Sequence, residues 1–129
     1  MNVIDHISVG VPSVAEGTQF YTGLMLRLGI ELVVATDNFA AYGKGTPQFI
    51  LMTPYDGKPY STGNGVHIAF AAQSKQAVDA FYHFACEQGA QGDGAPGARP
   101  MYPKPDVYAA FVRDPFGNKL EAIFNGFAA

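Results

Sequence analysis

Three side chains dispersed along the chain, His6, His67 and Glu121, are of the types that hold a divalent metal ion. Two neutral imidazole nitrogens and one carboxylate leave coordination positions open for water or substrate, and the ion polarises whatever oxygen binds there. Such a set suits Zn, Ni, Mn, Co or Fe(II), so the expected cofactor is one divalent ion whose identity the ligands do not fix. Other reactive groups are few. His83 lies between Tyr82 and Phe84 in a helical stretch and reads as a surface residue. Cys86 is the one cysteine, which excludes an intrachain disulfide and fits a reducing compartment.

The elements that must position these residues follow from an internal repeat. Laid over itself with a displacement of 61 residues, the sequence matches Asp5-His6-Ile7-Ser8-Val9 to Val66-His67-Ile68-Ala69-Phe70, Ser13 to Ser74, and Phe20-Tyr21 to Phe81-Tyr82. Further on, Ala40-Ala41-Tyr42 echoes Ala109-Ala110-Phe111, and Phe49-Ile50-Leu51 falls about where Leu120-Glu121-Ala122 does. Each half opens with a strand. In the first, alternation turns Val3, Ile7, Val9 and Val11 to the core and His6, Ser8 and Gly10 away from it. In the second, Val66, Ile68 and Phe70 take the core side, leaving His67 with the small residues Ala69 and Ala71 on the other.

A helix follows each strand. Ser13-Val14-Ala15-Glu16 is a capping box ahead of an apolar stripe of Val14, Phe20, Tyr21, Leu24 and Leu28, and Gly29 can end the helix. Ser74 starts its counterpart, which carries Val78, Phe81, Tyr82 and Ala85 to Gly89. Strands are expected at about 31–35, 39–42 and 48–53, then at 108–112 and 119–124, so each half reads as β-α-β-β-β. Asp114-Pro115-Phe116-Gly117-Asn118 supplies turn chemistry before the last strand, where Glu121 alternates away from Leu120 and Ala122. The stretch from Gly92 to Pro105 holds four of the nine prolines and reads as a long functional loop.

Composition narrows the partners. The chain has 129 residues, 48% hydrophobic and 15% charged, a size and balance suited to a single globular domain. A net charge of −3 without a basic run disfavours nucleic acid, and no apolar run has membrane-spanning length. With no signal-peptide pattern before Val3-Ile4-Asp5-His6-Ile7, the expected location is cytoplasmic.

The two modules, a histidine in the first strand of each, and the ending Arg113-Asp114-Pro115-Phe116-Gly117-Asn118-Lys119-Leu120-Glu121 resemble the vicinal oxygen chelate superfamily of glyoxalases, bleomycin-resistance proteins and extradiol dioxygenases. Gly94-Ala95-Pro96-Gly97-Ala98-Arg99-Pro100 also looks like one of its small bacterial subgroups, although Met101 and Pro103 stand where relatives of that subgroup often carry histidine. The resemblance implies an α+β fold of two βαβββ modules, about residues 1–62 and 63–129, forming a curled mixed sheet around a cleft. It also implies His6, His67 and Glu121 as metal ligands, a small-molecule substrate with adjacent oxygens, and a homodimer in which modules pair within one chain or between chains. Either a glyoxalase-like lyase or isomerase or an extradiol-type dioxygenase is implied, the alternative being a metal-free drug-binding protein. The family's second carboxylate is missing: Phe49-Ile50-Leu51 occupies its strand, with Gln48 the nearest polar residue. Glu121 would then serve as both ligand and base. Tyr42, Phe49, Tyr60, Tyr102 and Tyr108 are the aromatic residues expected near the cleft. Of these, Tyr102 and Tyr108 are the candidate substrate contacts, Tyr108 being a catalytic candidate as well, and Arg99 is the candidate partner for an anionic substrate.

Overall fold

In the computed structural model, which describes residues 3–129, the chain divides into two compact units, Met1–Gly63 and Asn64–Ala129. The first contains β1 (Ile7–Gly10), α1 (Val14–Leu26), β2 (Glu31–Ala35), β3 (Phe39–Gly43) and β4 (Phe49–Met52). The second repeats the plan with β5 (Ile68–Ala72), α2 (Lys75–Glu87), β6 (Gln91–Ala98), β7 (Tyr108–Arg113) and β8 (Lys119–Phe124). Each unit is an α+β module with one four-stranded mixed sheet, ordered β1-β4-β3-β2 and β5-β8-β7-β6. In both, the first strand runs parallel to the last and the other pairings are antiparallel. Among the described residues, no helix is long and apolar enough to cross a membrane.

The helices form where capping and apolar spacing place them. Ser13 accepts the Glu16 amide at 3.1 Å, capping α1, and donates its hydroxyl to the Glu16 carboxylate at 2.8 Å, so the two side chains meet rather than the carboxylate reaching the Ser13 amide. Ser74 accepts the Ala77 amide at 3.0 Å and does the same work for α2. Gly29 and Gly89, at φ +72° and +100°, take the left-handed turn that ends each helix. One face of each helix then packs on its sheet: Phe20, Tyr21, Leu24 and Met25 in the first unit, Val78, Phe81 and Ala85 in the second. Tyr21 and Tyr42 pack around Phe49, and the Tyr42 hydroxyl meets Thr22 at 2.8 Å. Tyr42 and Phe49 are thus helix-side core.

Strand registers define the repeat more finely than the sequence. Ile7 pairs with Phe49 as Ile68 pairs with Leu120, so Ile50 occupies in the first unit the place of Glu121 in the second. The pairings of β3 and β7 correct the echo of the middle strands by one residue: Ala40, Ala41 and Tyr42 correspond to Ala110, Phe111 and Val112. Val3 and Val66, expected in the core, precede the strands and are exposed.

The expected long loop also needs correction, because its first half is a strand. Residues 91–98 pair antiparallel with β7 as the edge of the sheet, with irregularities between Gly92 and Gly94 and between Gly94 and Gly97. An edge strand tolerates Pro96, and the glycines admit the bulges. The hairpin from β7 to β8 rests on Asp114, which is buried and accepts from the amides of Phe116 (2.9 Å) and Asn118 (2.8 Å) and from the Asn118 side chain (2.9 Å). Replacing Asp114 with Ala leaves these donors without that acceptor, and the expected loss is about 2 kcal/mol. A urea-unfolding midpoint shifted by that amount at unchanged slope checks it.

Candidate functional site

Alternation on β8 decides which side chains reach the site. Leu120 and Ala122 face α2, with Ile68, Phe70, Ala110 and Val112 as strand neighbours, while Glu121 and Ile123 face the other way with Ala69, Ala71, Ala109 and Phe111. On this open face Glu121 is only 1% exposed. A carboxylate removed from water is costly unless partnered, and Glu121 has two partners. His67, just before β5, places Nε2 3.1 Å from Glu121 Oε1, and Tyr102 donates its hydroxyl to Glu121 Oε2 at 2.5 Å.

These three residues stand at the polar end of a cavity of about 680 Å³. Its other walls are mostly apolar and include Ala69, Ala71, Met101, Ile123 and Phe127, with Asn125 adding a polar group. The small side chains on the face of His67 leave the space. Phe127 stacks on Tyr102 with centroids 6.0 Å apart and planes inclined by 21°. The segment that carries it is tied back by Lys104, which donates to the Gly126 carbonyl at 2.6 Å, and by Asn125, which donates to Pro105 and Asp106. Asn125 and Phe127 escaped sequence reasoning; the Asn125-Gly126 pair marks a chain reversal but not its contact with the 102–106 segment.

Burial first, and then the hydrogen bond to Glu121, push the Tyr102 phenol up to about 12. Tyr102 therefore remains a proton donor across the neutral range. Tyr108 lies on the opposite face of β7. Its hydroxyl donates to Asp79 of α2 at 2.6 Å, which raises its pKa, and the Lys75 ammonium sits 5.5 Å from its ring centroid. The expectation that it borders the site is corrected: an even-numbered residue of β7 points towards the helix. Arg99 sits above the Phe111 ring, 5.6 Å from its centroid, and its backbone carbonyl accepts from the Tyr102 amide. Phe111 is the register partner of Glu121 and lies 6.2 Å from the His67 ring, so Arg99 adjoins the polar end.

His6 holds the position in the first unit that His67 holds in the second, one residue ahead of the opening strand. It is exposed, with Nδ1 2.5 Å from the Asp5 carboxylate. His83 is exposed on α2, as expected, and Cys86 is a partly buried free thiol. Tyr60 borders a separate hollow of the first unit with Ser8, Gly10 and Tyr55.

The donor set of the second unit fits a metal ion in type and span. Two ligands each about 2.1 Å from one ion and roughly at right angles lie about 3 Å apart; His67 Nε2 and Glu121 Oε1 are separated by 3.1 Å. Among the described residues no group of three His, Cys, Asp or Glu side chains is assembled for an ion; His67 and Glu121 are the pair of such donors brought together at this cavity.

Comparison with known proteins decides the family. The model of the Glyoxalase/Bleomycin resistance protein/Dioxygenase superfamily matches residues 3–122. The chain belongs to this superfamily. A glyoxalase/bleomycin resistance protein from Albidiferax ferrireducens T118 is 33% identical, with a TM-score of 0.87 over 97% of this chain and 100% of that one. The fold is shared with a glyoxalase/bleomycin resistance protein/dioxygenase family enzyme from Burkholderia phytofirmans PsJN (16% identity, TM-score 0.71, 93% of this chain and 96% of that one). It is shared also with a glyoxalase-related enzyme from Fulvimarina pelagi (16% identity, TM-score 0.73, 97% and 89%). No curated protein matches the chain.

The shifted phenol in this superfamily member gives a direct test. In alkaline titration followed by tyrosinate absorbance, the difference between the native protein and Tyr102→Phe is expected to be a group titrating near 12. A folded-state pKa above the ordinary value of about 10 stabilises the fold below pH 10, and that contribution is lost as pH rises towards 12. The native and Tyr102→Phe proteins should therefore converge in stability across that window.

Proposed function

We propose that the chain is a metal-dependent enzyme acting on a small molecule with two adjacent oxygens, which enters the cavity of the second unit. The observation that carries this reading is the buried Glu121 carboxylate held between His67 and Tyr102 at the polar end of an otherwise apolar cavity. Burying that charge costs stability that an aliphatic side chain would not, and a cation bound there would offset the cost.

His67 and Glu121 would hold the ion together with His6, contributed by the same chain or by a second copy in a homodimer. When bound, the ion supplies Lewis-acid stabilisation of negative charge developing on adjacent substrate oxygens. The chain's own residues do the rest. Tyr102, protonated well above neutrality, fixes the rotation of the Glu121 carboxylate through Oε2 and leaves Oε1 on the side of His67. Glu121 is the one carboxylate side chain lining the cavity among the described residues, so it is the group to take a proton from a substrate carbon or hydroxyl. Ile50, at the matching place of the first unit, offers no second carboxylate, which favours chemistry that needs a single base.

A second reading draws on the apolar walls: Met101 and Phe127, 88% and 73% exposed, are what a protein that sequesters a flat drug would present. Chelation separates the two. Tag-free protein is expected to hold about one divalent ion per site by elemental analysis. His67→Ala and Glu121→Gln should lose it, while Tyr102→Phe should retain it with weakened affinity, by about tenfold or more as when a residue orienting a metal ligand is removed. Tight ligand binding that survives removal of all metal would favour sequestration. With the ion in place, oxygen consumption on a catechol under Fe(II) would identify a dioxygenase, and anaerobic turnover of an oxoaldehyde-thiol adduct a lyase.

A further inference from the structure

Arg99 is held in a way that a solvated surface arginine is not. Its Nη2 donates to the Ala95 carbonyl at 2.7 Å and its Nη1 to the Ala98 carbonyl at 3.3 Å, fixing the fork against the edge strand. Gly94 lets the edge strand pass close to Phe111, where a Cβ would stand 3.0 Å from the ring, and the guanidinium lies with its nitrogens at ordinary contact distance from Gly94 and Gly97. Below it lies the Phe111 ring, which also has the Lys119 ammonium 5.4 Å from its centroid.

Charge at this edge is unbalanced. Asp93 is the carboxylate of the group, and its Oδ2 lies 3.4 Å from Arg113 Nε and 3.5 Å from Lys119 Nζ. No ion pair forms on Arg99 among the described residues, its observed hydrogen bonds going to backbone carbonyls. Arg113 and Lys119 thus share one acid, while Arg99, on the same Phe111 ring as Lys119, has no carboxylate of its own among the described residues. Two hydrogen bonds and an aromatic platform fix the guanidinium while leaving donors unused. That is the state of preparation bidentate recognition of an oxyanion requires.

We propose that Arg99, seated on Phe111 and supported by Lys119, binds an oxyanion group, carboxylate or phosphate monoester, carried by the molecule that occupies the cavity. This rests on the reading of that cavity as the substrate site and adds a substrate class to it: an anion whose charged group lies on the Phe111 side while its apolar body lies along Ala69, Ala71, Met101 and Phe127. Substrates without such a charge would lose the contact with Arg99.

The test uses the full chain without added metal and three probes of similar ring size: benzoate, phenyl phosphate and benzamide. Binding is followed by the Arg99 Nε–Hε resonance, assigned by its disappearance in Arg99→Gln, and by general amide shifts. One or both anions are expected to move that resonance and to bind at least about tenfold more tightly than benzamide, the preferred anion distinguishing carboxylate from phosphate monoester. The preference should fall to about twofold or less in Arg99→Gln, persist in part in Arg99→Lys, and be unchanged in Lys75→Gln on the helix face. Equal binding of benzamide, failure of both anions to bind, or a preference that survives Arg99→Gln would overturn the proposal. Metal content of the native protein and of His67→Ala is measured separately. An anion preference in a protein that holds no ion sinks only the metal reading, and a bound ion without the preference sinks only this one.

Discussion

The second unit is organised around one costly interaction, a carboxylate almost wholly removed from water. Glu121 sits in the interior of β8 where an aliphatic residue would pack at no electrostatic cost, and the equivalent position of the first unit does carry one, Ile50. What makes the burial tolerable is a pair of hydrogen bonds from different parts of the chain, one from His67 ahead of the parallel neighbour strand and one from Tyr102 beyond the edge strand. A satisfied buried charge is rigid. The geometry that results, one oxygen given to a phenol and the other turned to an imidazole, fixes the orientation of the carboxylate.

The scaffold serves that arrangement. Parallel pairing of β5 with β8 sets Glu121 opposite Ala69 and brings its carboxylate to His67, and the small side chains beside it leave the hollow. The Asp114 turn fixes the start of β8, so a slip of one residue, which would send Glu121 into the helix-side core, is prevented. On the far side, the contacts of Lys104 with Gly126, of Asn125 with Pro105 and Asp106, and of Phe127 with Tyr102 hold the phenol where it meets the carboxylate. In the second unit, one helix packed on one face of the sheet turns alternation along a strand into a division between core and cavity.

That division explains why so much was legible in the residues and where legibility stopped. Period-two alternation with a repeat identified the face of His67 and Glu121, because it depends only on neighbours along the chain. The helix-starting serines, Ser13 and Ser74, and the helix-ending glycines were readable for the same reason. Tyr108 was misplaced although its strand was expected, since assigning a face to it required the pairing of Ala110 with Ala122 rather than with a residue one further on. The strand at 91–98 was hidden by Gly and Pro, which weaken strand propensity everywhere except at a bulged sheet edge.

The sequence by itself determined the first module and all but the edge strand of the second, the equivalence of His6 and His67, and the placing of Glu121 on the side of the sheet away from the helix, all consequences of periodicity, repetition and turn chemistry. Only tertiary structure decided that Tyr102 closes on Glu121, that Phe127 forms a wall, and that Arg99 is seated on Phe111 while Tyr108 is engaged with Asp79. Those contacts join residues from separate elements. Their existence depends on register and on where irregular segments fold back, and a sum over sidewise neighbours in the chain carries neither.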